Sequence, residues 1–258
     1  MSPLEILRHP DASALADAVA ARIITTLVER QAAAGQAHLC LTGGRIGTAA
    51  LAAVAASRGC DSVDWSRVDI WWGDERFLPQ GDPERNDTGA RAALLDHVGL
   101  DPLRVHPMPG PDGPWPDVDD AAAAYARTLA EAARPEDHAV APAMDILLLG
   151  MGPDGHVASL FPGQPAVHDE RPVTAVRGAP KPPPVRITLT LPIINAAREV
   201  WLIAAGAEKA SAVRLALTEG AGVLQVPAAG VRGRDRTLVL LDEAAASKLP
   251  ASLGRPSA

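Results

Sequence analysis

The sequence is poor in cysteine, in aromatic residues and in net positive charge, and each shortage excludes something. The 258 residues contain two cysteines, Cys40 and Cys60, too few for a disulfide framework or a cysteine-based zinc site. Aromatic residues make up only 3%, so a position where they cluster is informative. The net charge of -7 argues against broad electrostatic binding to nucleic acid or to an anionic membrane surface. An anionic ligand would therefore need a local group of cations.

Long hydrophobic runs are also missing. No window approaches the roughly 18 uninterrupted apolar residues of a membrane span, and the first residues do not read as an export signal. With few cysteines besides, we expect a soluble, cytoplasmic protein. A hydrophobic content of 47% predicts a sizeable core, and no long linker divides the chain, so we expect residues 1–258 to form a single domain.

Apolar patterning predicts alternating strands and helices. Residues 11–34 have helical spacing and end at Gly35, a typical helix stop. Short apolar runs at 38–41, 68–72 and 144–149 each lead into a polar or glycine-rich turn. Such strand-turn units predict an α/β protein with a largely parallel sheet, whose ligand sites gather where the turns converge.

Other segments fit the same patterns. Strands are predicted at 173–176, 186–190, 200–204 and 237–241, and helices at 48–57, 117–134, 207–219 and 243–248. Two proline-rich segments, 107–116 and 180–184, are interpreted as surface loops.

The first turn, Thr42-Gly43-Gly44, joins a predicted strand to a predicted helix. Its backbone N–H groups and the Thr42 hydroxyl could receive a phosphate at the helix N-terminus. Glycines at such a junction also serve tight turning alone, so both interpretations stay open. The turn is neither a Walker loop nor a dinucleotide fingerprint.

The second turn, with the strand end before it, spans residues 71–77 and contains two tryptophans, two carboxylates and an arginine in a chain poor in aromatic residues. Arg76 could be a cation that holds an anion or a developing oxyanion, or it could form an internal ion pair with Asp74 or Glu75. Downstream, Asn86 and Asp87 are predicted to cap the next helix.

The third turn, residues 150–163, places His156 among four glycines directly after the strongest apolar run. An imidazole there could take a proton from water and return it to a leaving oxygen. Ser159 lacks the G-x-S-x-G setting of a nucleophile, and no metal-ligand spacing appears. The other histidines have no comparable setting; they include His9, His97, His138 and His168.

Taken together, the motifs resemble those of the 6-phosphogluconolactonase family. They run in that family's order: LTGG at 41–44, WWGDERFLP at 71–79, MDILLLGMGPDGHVASLFPG at 144–163, RITLTLPIINAA at 186–197, GAEKA at 206–210 and LVLLDEAAA at 238–246. The family is similar in fold to the glucosamine-6-phosphate deaminases. The resemblance therefore implies a Rossmann-like, mostly parallel sheet flanked by helices.

The resemblance also implies a reaction, the hydrolysis of 6-phospho-D-glucono-1,5-lactone to 6-phospho-D-gluconate in the oxidative pentose phosphate pathway. We expect no cofactor, and no metal ligand among the site residues. The resemblance further implies that His156 is the general base and that Asp74 and Arg76 line the cleft. The implied phosphate cradle comprises Thr42, Gly43, Gly44, Arg186 and Lys209. We expect a phosphosugar lactone as partner, no nucleic acid or membrane, and a monomer or weak homo-oligomer.

Some features leave alternatives open. Without the resemblance, Arg186 and Lys209 could be ordinary solvated residues. The family commonly has Ser/Thr-Pro after the double glycine, whereas this chain continues with Arg45, so the roles of Arg45 and Thr48 stay open. Glucosamine-6-phosphate deamination is disfavoured because residues 159–163 lack the acidic residue those enzymes carry after their histidine. A sugar-phosphate sensor would need a helix-turn-helix segment, for which we find no room before residue 34.

Overall fold

A computed structural model describes residues 3–133, 139–250, 253 and 255–256. Its strands are β1 (Leu4–His9), β2 (Ala37–Leu41), β3 (Val68–Trp72), β4 (Asp74–Arg76), β5 (Ile146–Gly150), β6 (Val173–Val176), β7 (Arg186–Leu189), β8 (Glu199–Ala204), β9 (Arg236–Asp242) and β10 (Arg255–Pro256). Its α-helices are α1 (Ala12–Ala34), α2 (Gly44–Ala56), α3 (Asn86–Ala93), α4 (Val118–Ala132), α5 (Leu191–Ala196), α6 (Ala210–Ala216) and α7 (Glu243–Ala246).

Seven strands form one parallel sheet in the order β10-β1-β9-β8-β5-β2-β3. Strands β3 and β8 are buried along their whole length, as expected for a parallel sheet covered on both faces. Because all the strands run the same way, the turns that follow them meet at one edge. The predicted Rossmann-like, mostly parallel architecture is confirmed.

A smaller antiparallel sheet, β4-β7-β6, lies beside the large one. Sequence analysis interpreted residues 74–76 as turn, but they pair with β7 in a register that sets Asp74 opposite Thr188 and Arg76 opposite Arg186. Gly73 separates β3 from β4, so the chain leaves the large sheet and enters the small one within a single residue. This second sheet carries three of the predicted site residues.

The first helix follows its predicted limits because both end signals act as expected. Asp11 accepts a hydrogen bond from the N–H of Ala14 at 2.9 Å, and Gly35 ends the helix with φ of 78°. Helix α2 begins at Gly44, four residues before its predicted start, and so opens directly on the glycine turn. Among the described residues no helix combines the length and the apolarity of a bilayer span.

The predicted helix caps Asn86 and Asp87 are wrong. Helix α3 starts at Asn86, and the N–H groups of both residues donate to the carboxylate of Glu75, at 2.6 and 2.8 Å. Glu75 is eleven residues away in sequence, so this cap depends on tertiary structure.

Patterning did not predict β1, β10 or α5 and gave no bounds for α3. It extended α6 at both ends, because Ala207–Lys209 form a 3-10 turn and the helix ends at Ala216. Arg134, the predicted end of α4, and His138 lie outside the described residues. That residues 1–258 form a single domain stays a prediction.

Candidate active site

A cleft of about 830 Å3 opens at the carboxyl edge of the parallel sheet. This size suits a small-molecule ligand. Its wall includes every site residue predicted from the sequence: Thr42, Gly43, Gly44, Asp74, Arg76, His156, Arg186 and Lys209. The turns that follow strands of the large sheet supply Thr42, Gly43, Gly44, His156 and Lys209. The small sheet supplies Asp74, Arg76 and Arg186.

The glycine turn is held close to two neighbouring segments. The hydroxyl of Thr42 accepts a hydrogen bond from the N–H of Gly150 at 3.1 Å, which ties the end of β2 to the end of β5. A Cβ on Gly43 would lie 1.8 Å from Oδ1 of Asn86, so only glycine fits there. No side chain of the described residues caps α2, and its first N–H groups are therefore available to an anion.

His156 is positioned by a tight turn and by a carboxylate. The N–H of Gly152 donates to the carbonyl of His156 at 2.9 Å, and Nδ1 of His156 lies 2.6 Å from Oδ1 of Asp154. Since a carboxylate only accepts, Nδ1 carries the proton in the neutral form of the ring, and in that form Nε2 has a free lone pair. Burial alone would raise the pKa of Asp154, but the hydrogen bond and charge of His156 and the charge of Lys181 together lower it.

Asp74 is buried and fixed from two sides. The hydroxyl of Ser159 donates to its Oδ2 at 2.6 Å, while the side-chain amide of Asn86 donates to its carbonyl at 2.8 Å. Nη1 of Arg186 lies 4.0 Å from the same Oδ2. The carboxylate therefore has a fixed orientation at the cleft wall, where it can accept hydrogen bonds from a ligand.

Arg76 and Arg186 lie opposite each other on adjacent strands of the small sheet. Arg76 donates through Nη1 to the carbonyl of Glu84, while its buried Nε has no hydrogen-bond partner among the described residues. Burial lowers the pKa of Arg186; Asp74 raises it and Arg76 lowers it further. The predicted ion pair of Arg76 with Asp74 or Glu75 is absent from the described part of the chain, where Glu75 contacts Arg85 at 3.8 Å. Two guanidinium groups thus share one wall of the cleft.

Lys209 lies at the start of α6, in the part of the cleft formed by the large sheet. Burial lowers its pKa, and the charges of Lys181 and Arg45 lower it further. Arg45 also lines the cleft, but its exposed side chain pairs with Glu208 at 3.0 Å. Thr48 is not among the cleft residues.

Sequence reasoning missed four residues of this site. Asp154 and Ser159 belong to the histidine motif but received no orienting role, and Asn86 was interpreted as a cap. Lys181 was placed in a proline-rich surface loop, yet it lines the cleft, and its ammonium lies 3.5 Å from Asp154. The "KPPP" run before the RIT strand was the available signal, because a cation directly before a cleft strand can reach the cleft.

The geometry combines a base with an arrangement of cations. A neutral imidazole held by a carboxylate can accept a proton from water, and the nearby guanidinium groups can stabilise an oxyanion. The glycine turn and Lys209 provide N–H and ammonium donors for a phosphate. This set fits hydrolysis of a phosphorylated substrate by activated water.

Comparison with known sequences agrees with these expectations. The sequence model of the family described as glucosamine-6-phosphate isomerases/6-phosphogluconolactonase matches residues 10–240. A protein of Streptomyces coelicolor, named 6-phosphogluconolactonase, is 61% identical over 255 residues, which are 98% of this chain and 97% of that protein.

Solved structures share the fold. The 6-phosphogluconolactonase of Trypanosoma brucei superposes with a TM-score of 0.80 at 26% identity, over 97% of this chain and 100% of that one. A monomeric glucosamine-6-phosphate deaminase superposes with a TM-score of 0.76 at 20% identity, over 95% and 99%. The second likeness concerns the fold alone and confirms the expected deaminase-like architecture.

Proposed function

The chain belongs to the family of glucosamine-6-phosphate isomerases and 6-phosphogluconolactonases, and within it we propose the function of a 6-phosphogluconolactonase. The reaction is hydrolysis of 6-phospho-D-glucono-1,5-lactone to 6-phospho-D-gluconate, a step of the oxidative pentose phosphate pathway. The observation that carries this proposal is that His156, which is paired with Asp154, lies on the wall of a cation-lined cleft. The high identity to a named 6-phosphogluconolactonase supports it.

We assign the phosphate to the glycine turn and the nearby cations. A phosphate ester carries a charge of about -1.5 to -2 at neutral pH. The uncapped start of α2 and the hydroxyl of Thr42 offer hydrogen-bond donors, and Lys209 adds a positive charge. Arg186 contributes charge from the opposite wall. Arg45 is not needed for this role, because Glu208 already pairs with it.

We assign the base to Nε2 of His156. It takes a proton from water while the water oxygen forms a bond to the lactone carbonyl carbon, C1. Asp154 stabilises the imidazolium through Nδ1 and keeps the ring in the tautomer that accepts at Nε2.

The resulting tetrahedral intermediate carries a negative charge on the former carbonyl oxygen. We assign its stabilisation to Arg76, whose buried Nε has no partner among the described residues. When the bond from C1 to the ring oxygen breaks, the imidazolium returns its proton to that oxygen. Asp74, fixed by Ser159 and Asn86, holds the sugar hydroxyls.

Deamination of glucosamine 6-phosphate on the same scaffold is the second candidate, because the family includes it. The residues after His156 argue against it. Ser159 stands where an acidic group would serve ring opening, and it is fully buried with its hydroxyl bound to Asp74. We also propose that the protein is a monomer or weak homo-oligomer.

The experiment that tests the function is a coupled assay with freshly generated 6-phosphogluconolactone, run beside an assay of ammonia release from glucosamine 6-phosphate. We expect lactone hydrolysis well above the spontaneous rate and no ammonia. A His156→Ala variant should remain folded and bind 6-phosphogluconate while losing turnover by about 100-fold or more. Wild-type-like turnover in that variant would rule out the assignment of the base.

A further inference from the structure

Lys181 lies beside the carboxylate that orients the base. Its Nζ is 3.5 Å from Oδ1 of Asp154, the same oxygen that receives Nδ1 of His156 at 2.6 Å. The lysine and the histidine therefore share one carboxylate oxygen. A positive charge at Lys181 weakens the hold of Asp154 on a protonated His156, because it offsets part of the negative charge that stabilises the imidazolium.

The backbone beneath Lys181 is held by hydrogen bonds, whereas its side chain is partly exposed and makes one long contact. Arg186 donates hydrogen bonds to the carbonyl oxygens of Lys181, Pro182 and Pro183, at 3.1, 3.2 and 3.1 Å. The side chain of Lys181 remains 41% exposed, and its contact with Asp154 is long for a hydrogen bond. The ammonium can therefore move within the cleft while its attachment stays in place.

A second lysine lies within electrostatic reach. After burial, the charge of Lys181 is the largest influence that lowers the pKa of Lys209. Both lysines line the cleft; the charge of Lys181 lowers the pKa of Asp154, and Asp154 raises the pKa of Lys209. Two ammonium groups that repel each other across a cleft form a site for a dianion, which attracts both.

Composition supports a specific role for these ammonium groups. Of the 24 Lys and Arg residues only three are lysines, and two of the three line this cleft. Elsewhere the chain uses arginine almost throughout. Lysine differs from arginine as a compact charge on a flexible stem, with no planar fork to fix it on one carboxylate. That property suits a cation that must change partners.

We propose that Lys181 links recognition of the substrate phosphate to the activity of the base. Without phosphate, the ammonium stays on Asp154. A bound phosphate dianion draws Lys181 toward Lys209 and leaves Asp154 to His156 alone, which favours the imidazolium formed during attack by water. Lys181 is then a specificity residue acting on kcat, and Lys209 acts on binding. This inference rests on the proposed lactonase function.

The test compares two lactones that differ only in the phosphate, 6-phosphogluconolactone and glucono-1,5-lactone, with spontaneous hydrolysis subtracted. The variants are Lys181→Met, Lys181→Arg and Lys209→Met. Lys248→Met is the matched control, since Lys248 lies outside the cleft and contacts Ser211 at 2.7 Å.

We expect Lys181→Met to raise kcat for glucono-1,5-lactone by about tenfold, because Asp154 is then left to His156 even without a phosphate, while kcat for 6-phosphogluconolactone stays within about twofold. Lys181→Arg keeps the positive charge and should keep kcat for glucono-1,5-lactone close to the wild-type value. Lys209→Met should mainly raise KM for the phosphorylated lactone, and Lys248→Met should change neither reaction.

Three results would overturn the coupling. Equal losses on both lactones would make Lys181 a structural residue, a change in KM alone would make it a passive phosphate contact, and no change would remove it from the reaction. A wild-type protein that hydrolyses neither lactone would overturn both the proposed function and the coupling. Wild-type activity with any of the three results overturns the coupling alone.

Discussion

The two edges of the parallel sheet each hold a histidine paired with an aspartate. At the carboxyl edge Nδ1 of His156 lies 2.6 Å from Asp154, and at the amino edge Nε2 of His106 lies 3.0 Å from Asp69. The two histidine side chains are almost equally accessible, at 16% and 17%. Neither the pair itself nor its burial therefore distinguishes a candidate base from a structural histidine.

The difference lies in what surrounds each pair. At the amino edge the ring of His106 stacks on Trp71 with centroids 3.9 Å apart, and Asp69 also binds Arg104 at 2.6 Å. At the carboxyl edge His156 lies in a glycine-rich turn, beside cations that line an open cleft. The amino edge satisfies its polar groups with one another, whereas the carboxyl edge leaves donors and charges for a ligand.

Replacement of the two aspartates by asparagine should give the largest contrast. Asp154→Asn is expected to lower kcat by about 100- to 10,000-fold, because an amide can hold the wrong tautomer of His156 and cannot stabilise its cation. Asp69→Asn should leave kcat within about twofold while costing about 2 kcal/mol of unfolding free energy, since Arg104 and His106 lose a charged partner.

Steady-state kinetics and urea denaturation of both variants measure this contrast. A comparable loss of kcat in the two variants would mean that the amino edge contributes to catalysis as well as to stability. A stable, fully active Asp154→Asn would mean that Asp154 does not orient the base.

A second contrast uses two glycines. A Cβ on Gly152 would lie 2.0 Å from Nδ1 of His156, so Gly152→Ala should displace the ring and lower kcat by about 100-fold. Gly35, before β2 at the amino edge, has φ of 78° with open space around it. Gly35→Ala should cost about 1 kcal/mol of stability and leave kcat unchanged. Thermal unfolding and kinetics on the same samples would show whether these effects separate as expected.

The smallest expected effect is a pH dependence of stability at the amino edge. Burial lowers the pKa of His38 below its ordinary value of 6.5; Asp69 and Asp145 raise it, and His106 and Arg104 lower it further. The folded state therefore binds the proton less well than the unfolded state, and stability is lost as the pH falls through 6.5.

The variant His38→Gln removes this linkage. Between pH 7.5 and pH 5.5 the wild type should lose more unfolding free energy than the variant does, as measured by urea titration. The same loss in both proteins would contradict a depressed pKa at His38.

Sequence patterning predicted most of the parallel sheet because its signals are local. The apolar run at 68–72 is enough to predict a buried strand, and the periodic segment at 11–34 with its two end signals is enough to predict a helix. The eight predicted site residues converge on one cleft for a related reason, since the turns that carry most of them follow strands of known direction. Their individual functional roles stay proposals.

What patterning missed depends on contacts distant in sequence. Glu75 caps a helix eleven residues later, and Ser159 binds Asp74 across 85 positions. Strand β4 exists only because β7 offers it a partner. Lys181 reaches Asp154 because Arg186 holds the loop that carries it. None of these partners can be read from spacing along the chain.

The facing arginines of the small sheet have a consequence for the lifetime of the protein. Like charges directly opposite each other on paired strands destabilise a sheet, so the repulsion between Arg76 and Arg186 lowers the free energy of unfolding when no anion is bound. An anion held between them removes that repulsion and, by mass action, lowers the population of unfolded chains. Supply of the sugar phosphate would then protect the protein from unfolding and proteolysis, and its depletion would leave the protein easier to degrade.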